Sequence, residues 1–337
     1  MNDAELKLLL SLVRISLWDI APEEETLDGI RALSEQGWNS LLDAAGKQTV
    51  CGLLYKSAEK FPEDLSISEE VFFKLMTQVN RITNINLRFR DTEKEVIALL
   101  ENNGCHPLTM KGSTCAARYP SPELRECGDI DLFIPKDEFQ KAVDTLKSSG
   151  YVGSDSPDSS VVFIVNGCVI ELHRHYFDLH VKESHLPEPA TLEAELLMLS
   201  AHILKHACGV GVGLRQICDF ALAYYGYTGD YEQLDTLFRK AGLRRWHRLL
   251  LSFTDEYLAP SPRKGTVDPR PLCRIILRGG NFGHYEKGRS GSLQRSSIRR
   301  KADTALRLVK RLPFSLRFAR REAFPYLFDL THGNLSK

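Results

Sequence analysis

Three features are missing from the sequence: a Cys-x-x-Cys pair, an apolar run long enough to cross a bilayer, and a net charge. The eight cysteines are scattered along the chain, which favours reduced and mostly buried thiols over disulfides or a zinc site. The N-terminal apolar run, residues 6–17, is interrupted by Lys7 and Arg14, follows acidic rather than basic residues, and is too short to span a membrane. We therefore expect a soluble, cytoplasmic protein.

The zero net charge hides an uneven distribution. Basic and acidic residues number 44 each in the whole chain, but residues 285–321 contain twelve Lys or Arg and only two acids. Apolar residues recur there at near-helical spacing around Pro313, namely Leu306, Val309, Leu312 and Leu316, and the next position of the repeat falls on Ala319 or Arg320. The excess of positive charge predicts contact with an anionic partner. Phenylalanines lie among the arginines, so a membrane surface is slightly favoured over a nucleic acid. A solvated charged face, or an intramolecular lid on the acidic remainder, is the alternative.

The first third of the chain has helical periodicity. A chain of 337 residues with 43% hydrophobic content can bury a sizeable core, as two domains or as one domain with large additions. Two sets of apolar residues recur at helical spacing: Leu6, Leu9, Leu10 and Val13, then Phe72, Leu75, Met76 and Val79. The second set opens a helix that we expect to end at Asn103-Gly104. We interpret residues 4–104 as a helical support for a sheet.

The stretch from Leu108 to Ile134 has the pattern of a strand, a turn with a short helix, and a second strand that carries two aspartates. Asp129 and Asp131 flank Ile130, and residues two apart on a strand point to the same face. Two carboxylates held this close favour a divalent cation between them, and hard oxygen ligands suit Mg²⁺ or Mn²⁺. The pair therefore predicts a metal site.

The turn at Lys111-Gly112-Ser113 predicts a phosphate-binding element. Glycine permits backbone conformations closed to other residues and lets a ligand approach the main chain, while N–H groups at the start of the following helix attract anions. Lys111, Arg118 and Arg125 add positive charge to the same stretch, and arginine can bind phosphate oxygens in a bidentate manner. These five residues are the predicted nucleotide-binding residues.

At these positions the chain resembles the nucleotidyltransferase superfamily that includes DNA polymerase β. More closely, the segments Leu108-Thr-Met-Lys-Gly, Tyr119-Pro and Gly128-Asp-Ile-Asp-Leu, with Arg125, are similar to the bacterial family of uncharacterised nucleotidyltransferases. The fifteen residues that separate Ser113 from Asp129 form a spacer somewhat longer than is usual in the superfamily, but one that suits the closer family. The resemblance implies a divalent metal cofactor and a nucleoside triphosphate as substrate.

A third carboxylate is predicted on a later strand. Asn166-Gly167 lies between two β-like segments, 161–165 and 168–173, which is a hairpin signal. Glu171 and His173 share one face of the second segment. An isolated glutamate there would normally be solvated, but the resemblance implies that Glu171 is the third metal ligand and a candidate base for the acceptor hydroxyl. Between the strand that carries the two aspartates and this hairpin, Pro135 and the acids after it predict the start of a helix, and Ser149-Gly150 predicts its end.

The chain returns to helix at Thr191. On that helix His202 and His206 are spaced as a possible metal pair, but the Glu of a zinc-hydrolase motif is missing because Ile203 follows His202. A polar helix face turned toward the active cleft is the favoured interpretation. Further along, Arg215 and Asp219 are spaced to pair with each other.

The predicted fold is α+β, with a small mixed β-sheet nucleotidyltransferase core flanked by N-terminal and C-terminal helical regions. We expect four parts: helices over 1–104, the core over 105–187, a helical domain that closes the cleft over 188–260, and a basic helical segment over 261–337. The predicted reaction transfers NMP from an NTP to an unknown acceptor with release of pyrophosphate, using Asp129, Asp131 and Glu171 as catalytic and metal-binding residues. Two alternatives remain open: phosphotransfer or protein modification on the same fold, and a non-catalytic protein that binds anionic surfaces.

Overall fold

The part of the chain before the sheet is helical, as the periodicity predicts, and the described residues form five helices there. The computed structural model describes residues 3–65, 67–156, 160–209, 211–279 and 310–325. The helices are α1 (Asp3–Trp18), α2 (Glu24–Arg31), α3 (Glu35–Lys47), α4 (Cys51–Ala58) and α5 (Glu69–Asn102). The long helix α5 ends at Asn103-Gly104, where Gly104 takes a φ of +68° that a side chain would strain.

The buried face of α5 differs by one position from the predicted one. Val71, Leu75 and Val79 are buried, whereas Phe72 is 47% exposed. Both Val71 and Phe72 are compatible with the apolar repeat, and the sequence offers no way to choose between them. Ser68 fixes the choice in part, because its side chain accepts from Val71 N and so places Val71 in the first turn against the other helices.

A five-stranded mixed sheet follows, which confirms the predicted fold class. Its strands are β1 (Leu108–Thr109), β2 (Ile130–Phe133), β3 (Gly153–Asp155), β4 (Val161–Val165) and β5 (Cys168–His173), in the spatial order β1-β2-β5-β4-β3. The central pair β2 and β5 is parallel, and the other pairs are antiparallel. The hairpin at Asn166-Gly167 is confirmed, with both residues at positive φ as a tight primed turn requires.

One face of the sheet is apolar and faces α5 and α7 (Phe139–Ser148). Ile130 and Leu132 of β2, with Ile170 and Leu172 of β5, are buried in this core. The predicted start of α7 at Pro135 is wrong, because residues 136–138 form a turn and the helix begins at Phe139. In that turn Glu138 accepts hydrogen bonds from the backbone and ring of His106, which holds it outside the helix. The other face of the sheet is left for the polar residues of β2 and β5.

The helices after the sheet pack on the first helices of the chain. They are α8 (Leu192–Cys208), α9 (Leu214–Tyr225), α10 (Tyr231–Lys240), α11 (Arg244–Tyr257) and α12 (Arg270–Gly279). One apolar core contains residues of α1, α4, α8, α9 and α11. Trp18 of α1 donates to the backbone oxygen of Leu258, just after α11, at 2.7 Å. On the polar side of the sheet, α8 and α9 line a cleft together with residues of the segment that leads into β2.

Most of the basic segment 285–321 lies outside the described residues, because its description begins at residue 310. A helix over 310–318 packs near α8, where Arg311 donates to the backbone oxygen of Ala207 at 2.9 Å. The predicted apolar face is correct for Ala319, which is buried, and wrong for Leu316, which is exposed, and Ser315 and Phe318 are buried instead. Phe318 packs against Phe314, whose ring contacts Trp246 of α11, and this contact sets the buried side.

Candidate active site

Two of the three predicted metal-binding carboxylates lie side by side at the centre of the sheet. Asp131 of β2 is paired in register with Glu171 of the parallel neighbour β5, so both side chains leave the same face. Asp129 lies just before β2 and lines the same cleft as Asp131. Hydrophobic alternation fixes this arrangement, since Ile130 and Leu132 occupy the apolar face.

His173 completes a compact group of potential metal ligands. Its Nε2 lies 2.8 Å from Asp131 Oδ1 and 3.6 Å from Glu171 Oε2. One ligand atom from each of Asp131, Glu171 and His173 lies within 4.8 Å of the other two. Two carboxylates and an imidazole fit a divalent cation such as Mn²⁺, and the carboxylates alone also suit Mg²⁺.

The ammonium of Lys111 neutralises Asp131. Its Nζ lies 3.0 Å from Asp131 Oδ1 and 3.4 Å from Nδ1 of His202 on α8. Burial opposes the charged form of Lys111, but the carboxylates of Asp131 and Asp129 raise its pKa above the usual value. Burial also opposes the charged form of Asp131, which by itself would raise its pKa. Lys111 and His173 nevertheless hold the pKa of Asp131 well below its usual range. The pair is therefore ionised across the neutral pH range.

The pKa values of the other two carboxylates, Asp129 and Glu171, are raised rather than lowered. Burial, and then the charge of Asp131, raises the pKa of Asp129. Burial, and then the charges of Asp131 and Asp129, raises the pKa of Glu171 to about 7. Three carboxylates thus share a site in which one cationic side chain, Lys111, contacts Asp131 directly, and added positive charge would favour the ionised form of all three.

Gly112 and Ser113 form the predicted turn beside these carboxylates. Gly112 has a φ of +65° and precedes the short helix α6 (Ser113–Ala116). A side-chain carbon placed on Gly112 would meet only the backbone oxygen of Asp129, at 3.8 Å, so the main chain is approachable there. The hydroxyl of Ser113 donates to Glu93 of α5 at 2.8 Å, and that of Thr109 donates to the same oxygen at 2.9 Å.

Glu93 was not predicted from the sequence, although a signal for it exists. It is buried on α5 between Phe89, Val96 and Leu100, which belong to the apolar core beneath the sheet. A charged residue within an apolar helix stripe needs a buried partner. Glu93 finds two hydroxyl partners and thereby anchors both ends of the segment that carries Lys111 and Gly112.

Arg118 and Arg125 are engaged with carboxylates of the helical region. Arg118 donates to both oxygens of Glu195 on α8, at 2.6 and 2.5 Å. Arg125 donates from Nε and Nη2 to the two oxygens of Asp219 on α9, each at 2.7 Å, and the hydroxyl of Tyr119 also donates to Asp219 at 2.7 Å. The expected pairing of Arg215 with Asp219 is replaced by this network, and Arg215 donates instead to the backbone oxygen of Glu126.

Removing one side of the Arg125–Asp219 pair is expected to destabilise the protein strongly. Asp219→Ala leaves the guanidinium of Arg125 buried without its carboxylate, which costs about 3–5 kcal/mol when a buried pair is broken. Thermal unfolding measured by circular dichroism should show the loss. Asp28→Ala, which removes an exposed partner of Arg31, is the control and should change stability by less than about 1 kcal/mol. Equal melting temperatures for the two variants would contradict a structural role of the pair.

His202 of α8 lines the cleft, and His206 lies one turn further along the same helix. Their rings are 4.4 Å apart, and His202 Nδ1 lies 3.6 Å from Asp178, which also accepts from Lys205 at 2.9 Å. Burial, reinforced by Lys111, lowers the pKa of His202 to about 4, so its imidazole is neutral near pH 7. The favoured interpretation, a polar helix face turned toward the cleft, agrees with these contacts, and the exclusion of zinc stays a prediction.

Two cavities adjoin the segment that leads into β2. The smaller one, about 30 Å³, is lined by Lys111, Gly112, Asp129 and Asp131, together with residues of α8 and α9. A larger groove of about 610 Å³ runs between α3 and α5 and is lined by Glu126 and Cys127, but none of the three carboxylates reaches it. The smaller cleft is the candidate active site, because Lys111, Asp129, Asp131 and His202, all with perturbed pKa values, line it.

Comparison with known proteins identifies the family. A family model described as uncharacterised nucleotidyltransferase matches residues 34–259. This span is about two thirds of the chain, and it includes all strands of the sheet and every residue that lines the cleft. No curated protein and no solved structure matches the chain. In the described residues no helix is both long and apolar enough to cross a membrane. The chain belongs to the family of uncharacterised nucleotidyltransferases.

Proposed function

We propose that the protein transfers a nucleoside monophosphate from a nucleoside triphosphate to an acceptor and releases pyrophosphate. The observation that supports this most directly is the register of Asp131 with Glu171, which places two carboxylates side by side with Asp129, Lys111 and the Gly112 turn around them. We also propose that the fold belongs to the DNA polymerase β-type superfamily, because the sequence pattern and the mixed sheet agree with it.

The metal would be Mg²⁺ or Mn²⁺, held by Asp129, Asp131 and Glu171. When bound, such an ion neutralises charge that develops on the phosphoryl oxygens and on the entering and leaving oxygens. His173 hydrogen-bonds Asp131 at 2.8 Å and so can orient that carboxylate, and it lies 3.6 Å from Glu171. Glu171, whose pKa is near 7 without a metal, is also the candidate that accepts the proton of the acceptor hydroxyl.

The phosphates would lie against Lys111, Gly112 and Ser113. A cation bound to Asp131 would repel the ammonium of Lys111 and so favour its movement from Asp131 to a phosphate oxygen. The hydroxyl of Ser113 is held by Glu93, so the turn can offer its backbone N–H groups without moving. Arg118 and Arg125 stay predictions as nucleotide-binding residues. In the structure the guanidinium of each forms a bidentate pair with a carboxylate.

Transfer of label tests the proposed reaction. The protein is incubated with Mg²⁺, a cell extract and each NTP labelled with ³²P at the α or the γ position. We expect label from the α position in an acceptor, and label from the γ position in pyrophosphate. Transfer of γ label to an acceptor would identify a phosphotransferase or kinase-like activity instead. No transfer from either position would favour a non-catalytic protein.

The affinity for a divalent cation should depend on pH through Glu171. Because the pKa of Glu171 is about 7 in the metal-free protein, a cation must displace its proton below that pH. Mn²⁺ affinity should therefore rise by up to about tenfold per pH unit toward pH 7 and level off above it. Titration calorimetry between pH 5.5 and 8.5 measures the profile. In Glu171→Gln the affinity should be lower and its dependence on pH flatter; an unchanged profile would exclude Glu171 as a ligand.

A further inference from the structure

Two buried hydrogen-bond donors without a partner among the described residues belong to residues that line the cleft. They are Nε of Arg215 and Nε2 of Gln216, both in the first turn of α9. The two side chains are only 7% and 6% exposed. A buried donor that lacks an acceptor costs free energy, so groups of this kind in a cleft indicate a place where a ligand or water supplies the acceptor.

Neighbouring contacts fix the orientation of both donors. Gln216 Oε1 accepts from the backbone N–H of Gly213 at 2.9 Å, which identifies the oxygen end of the amide and leaves Nε2 as the free donor. Arg215 donates from Nη1 to the backbone oxygen of Glu126, so its planar guanidinium is held while Nε stays unbonded. The start of α9 is itself held, because Leu214 N donates to Gln48 Oε1 at 2.9 Å. The two donors are thus set in place before any ligand arrives.

Their surroundings define the chemistry of the missing acceptor. Both free atoms are donors, so the ligand must present oxygen or nitrogen lone pairs. The cavity of about 30 Å³ is narrow, so the part of a ligand that reaches these donors is a small group such as an oxygen atom rather than a nucleobase. Arg215 is cationic, so an anionic oxygen is preferred to a neutral one at this pair, while the carboxylates of Asp129 and Asp131 in the same cleft are those that the proposed function assigns to the metal.

We infer that Arg215 and Gln216 bind a non-bridging oxygen of the triphosphate of the nucleotide substrate. The same cleft is lined by Asp129, Asp131 and Gly112, where the proposed function places the metal and the phosphates. An anionic oxygen that enters this cleft therefore belongs to the triphosphate chain rather than to the base or the sugar. The inference rests on the proposed function, because it presupposes that a nucleoside triphosphate is the substrate.

Two substitutions test the inference without removing the side chains. Gln216→Glu keeps the oxygen that accepts from Gly213 and replaces the free donor by a carboxylate oxygen, which repels phosphate. Arg215→Lys keeps the charge and removes the planar Nε donor. The matched controls are Gln78→Glu and Arg81→Lys, which make the same changes on the exposed surface of α5. Thermal melts of all four variants establish that they are folded.

Binding is measured by titration calorimetry with inorganic tripolyphosphate and, separately, with each of the four ribonucleosides, all in the presence of Mg²⁺. We expect each test variant to weaken tripolyphosphate binding by about tenfold or more, because a charge-assisted hydrogen bond is lost. The two controls should stay within about twofold of the wild type. Nucleoside affinity should be the same in all variants.

The outcomes separate this inference from the proposed function. If the wild type transfers α label while both test variants bind tripolyphosphate as tightly as it does, the donors hold only water and the inference is wrong. If nucleoside binding weakens and tripolyphosphate binding does not, the pair reads the base and the inference is again wrong. If the wild type binds neither NTP nor tripolyphosphate and transfers no label, the proposed function fails and this inference fails with it.

Discussion

Asp131→Asn is expected to lower metal-dependent nucleotide turnover by about 10³-fold or more, which corresponds to about 4 kcal/mol of transition-state stabilisation. The reason lies in its position: Asp131 is 3% exposed, is in register with Glu171, and contacts both Lys111 and His173. An amide in its place keeps the shape but loses the charge that a divalent cation requires. Turnover is measured with the labelled NTPs, and Asp137→Asn, an exposed site shortly after β2, is the matched control.

Stability should separate Asp131 from Asp129. In Asp131→Asn the ammonium of Lys111 loses its 3.0 Å partner, so the free energy of unfolding should fall by up to about 3–5 kcal/mol. In Asp129→Asn a like charge beside Asp131 is removed, so the metal-free protein should be unchanged or more stable. Both variants should be inactive. Normal turnover in either one would remove that aspartate from the metal site.

The features that the sequence predicted correctly have mostly local signals. Strand alternation around Ile130 placed Asp129 and Asp131 on one face, and the Asn166-Gly167 turn placed the hairpin and thus Glu171. The helix stop at Gly104 was equally local, because the backbone there needs positive φ. Such features depend on a few neighbouring residues, and the surrounding fold has only to accommodate them.

Contacts between distant parts of the chain were not predictable in this way. Glu195 lies 77 residues from Arg118, and Asp219 lies 94 residues from Arg125, and only packing of the helices on the sheet brings these charges together. The i, i+4 spacing of Arg215 and Asp219 suggested a local pair, but Arg125 provides two aligned donors from the loop before β2 and occupies the carboxylate instead. Sequence spacing ranks local partners and carries no information on such competitors.

The burial of the site explains why Lys111 matters in the metal-free protein. Asp131 is buried in a site that it shares with Asp129 and Glu171, and its charge is stable there because an ammonium lies 3.0 Å away. Lys111 thereby supplies the positive charge beside Asp131 in the metal-free protein. The second neighbour of Lys111 is the neutral imidazole of His202 at 3.4 Å, which can accept a hydrogen bond from the ammonium.

Lys111→Met is therefore expected to have two effects of opposite sign. Without the competing ammonium, Mn²⁺ should bind the nucleotide-free protein about tenfold more tightly or better, because charge repulsion at Asp131 is removed. Turnover at saturating metal should nevertheless fall by about 10²-fold, since the phosphates lose a buried cationic partner. Calorimetry with Mn²⁺ and label transfer measure the two quantities. Lys60→Met, which breaks a pair of similar length with Asp19 far from the cleft, should change neither. Weaker Mn²⁺ binding in Lys111→Met would show that the lysine supports the metal site instead of competing with it.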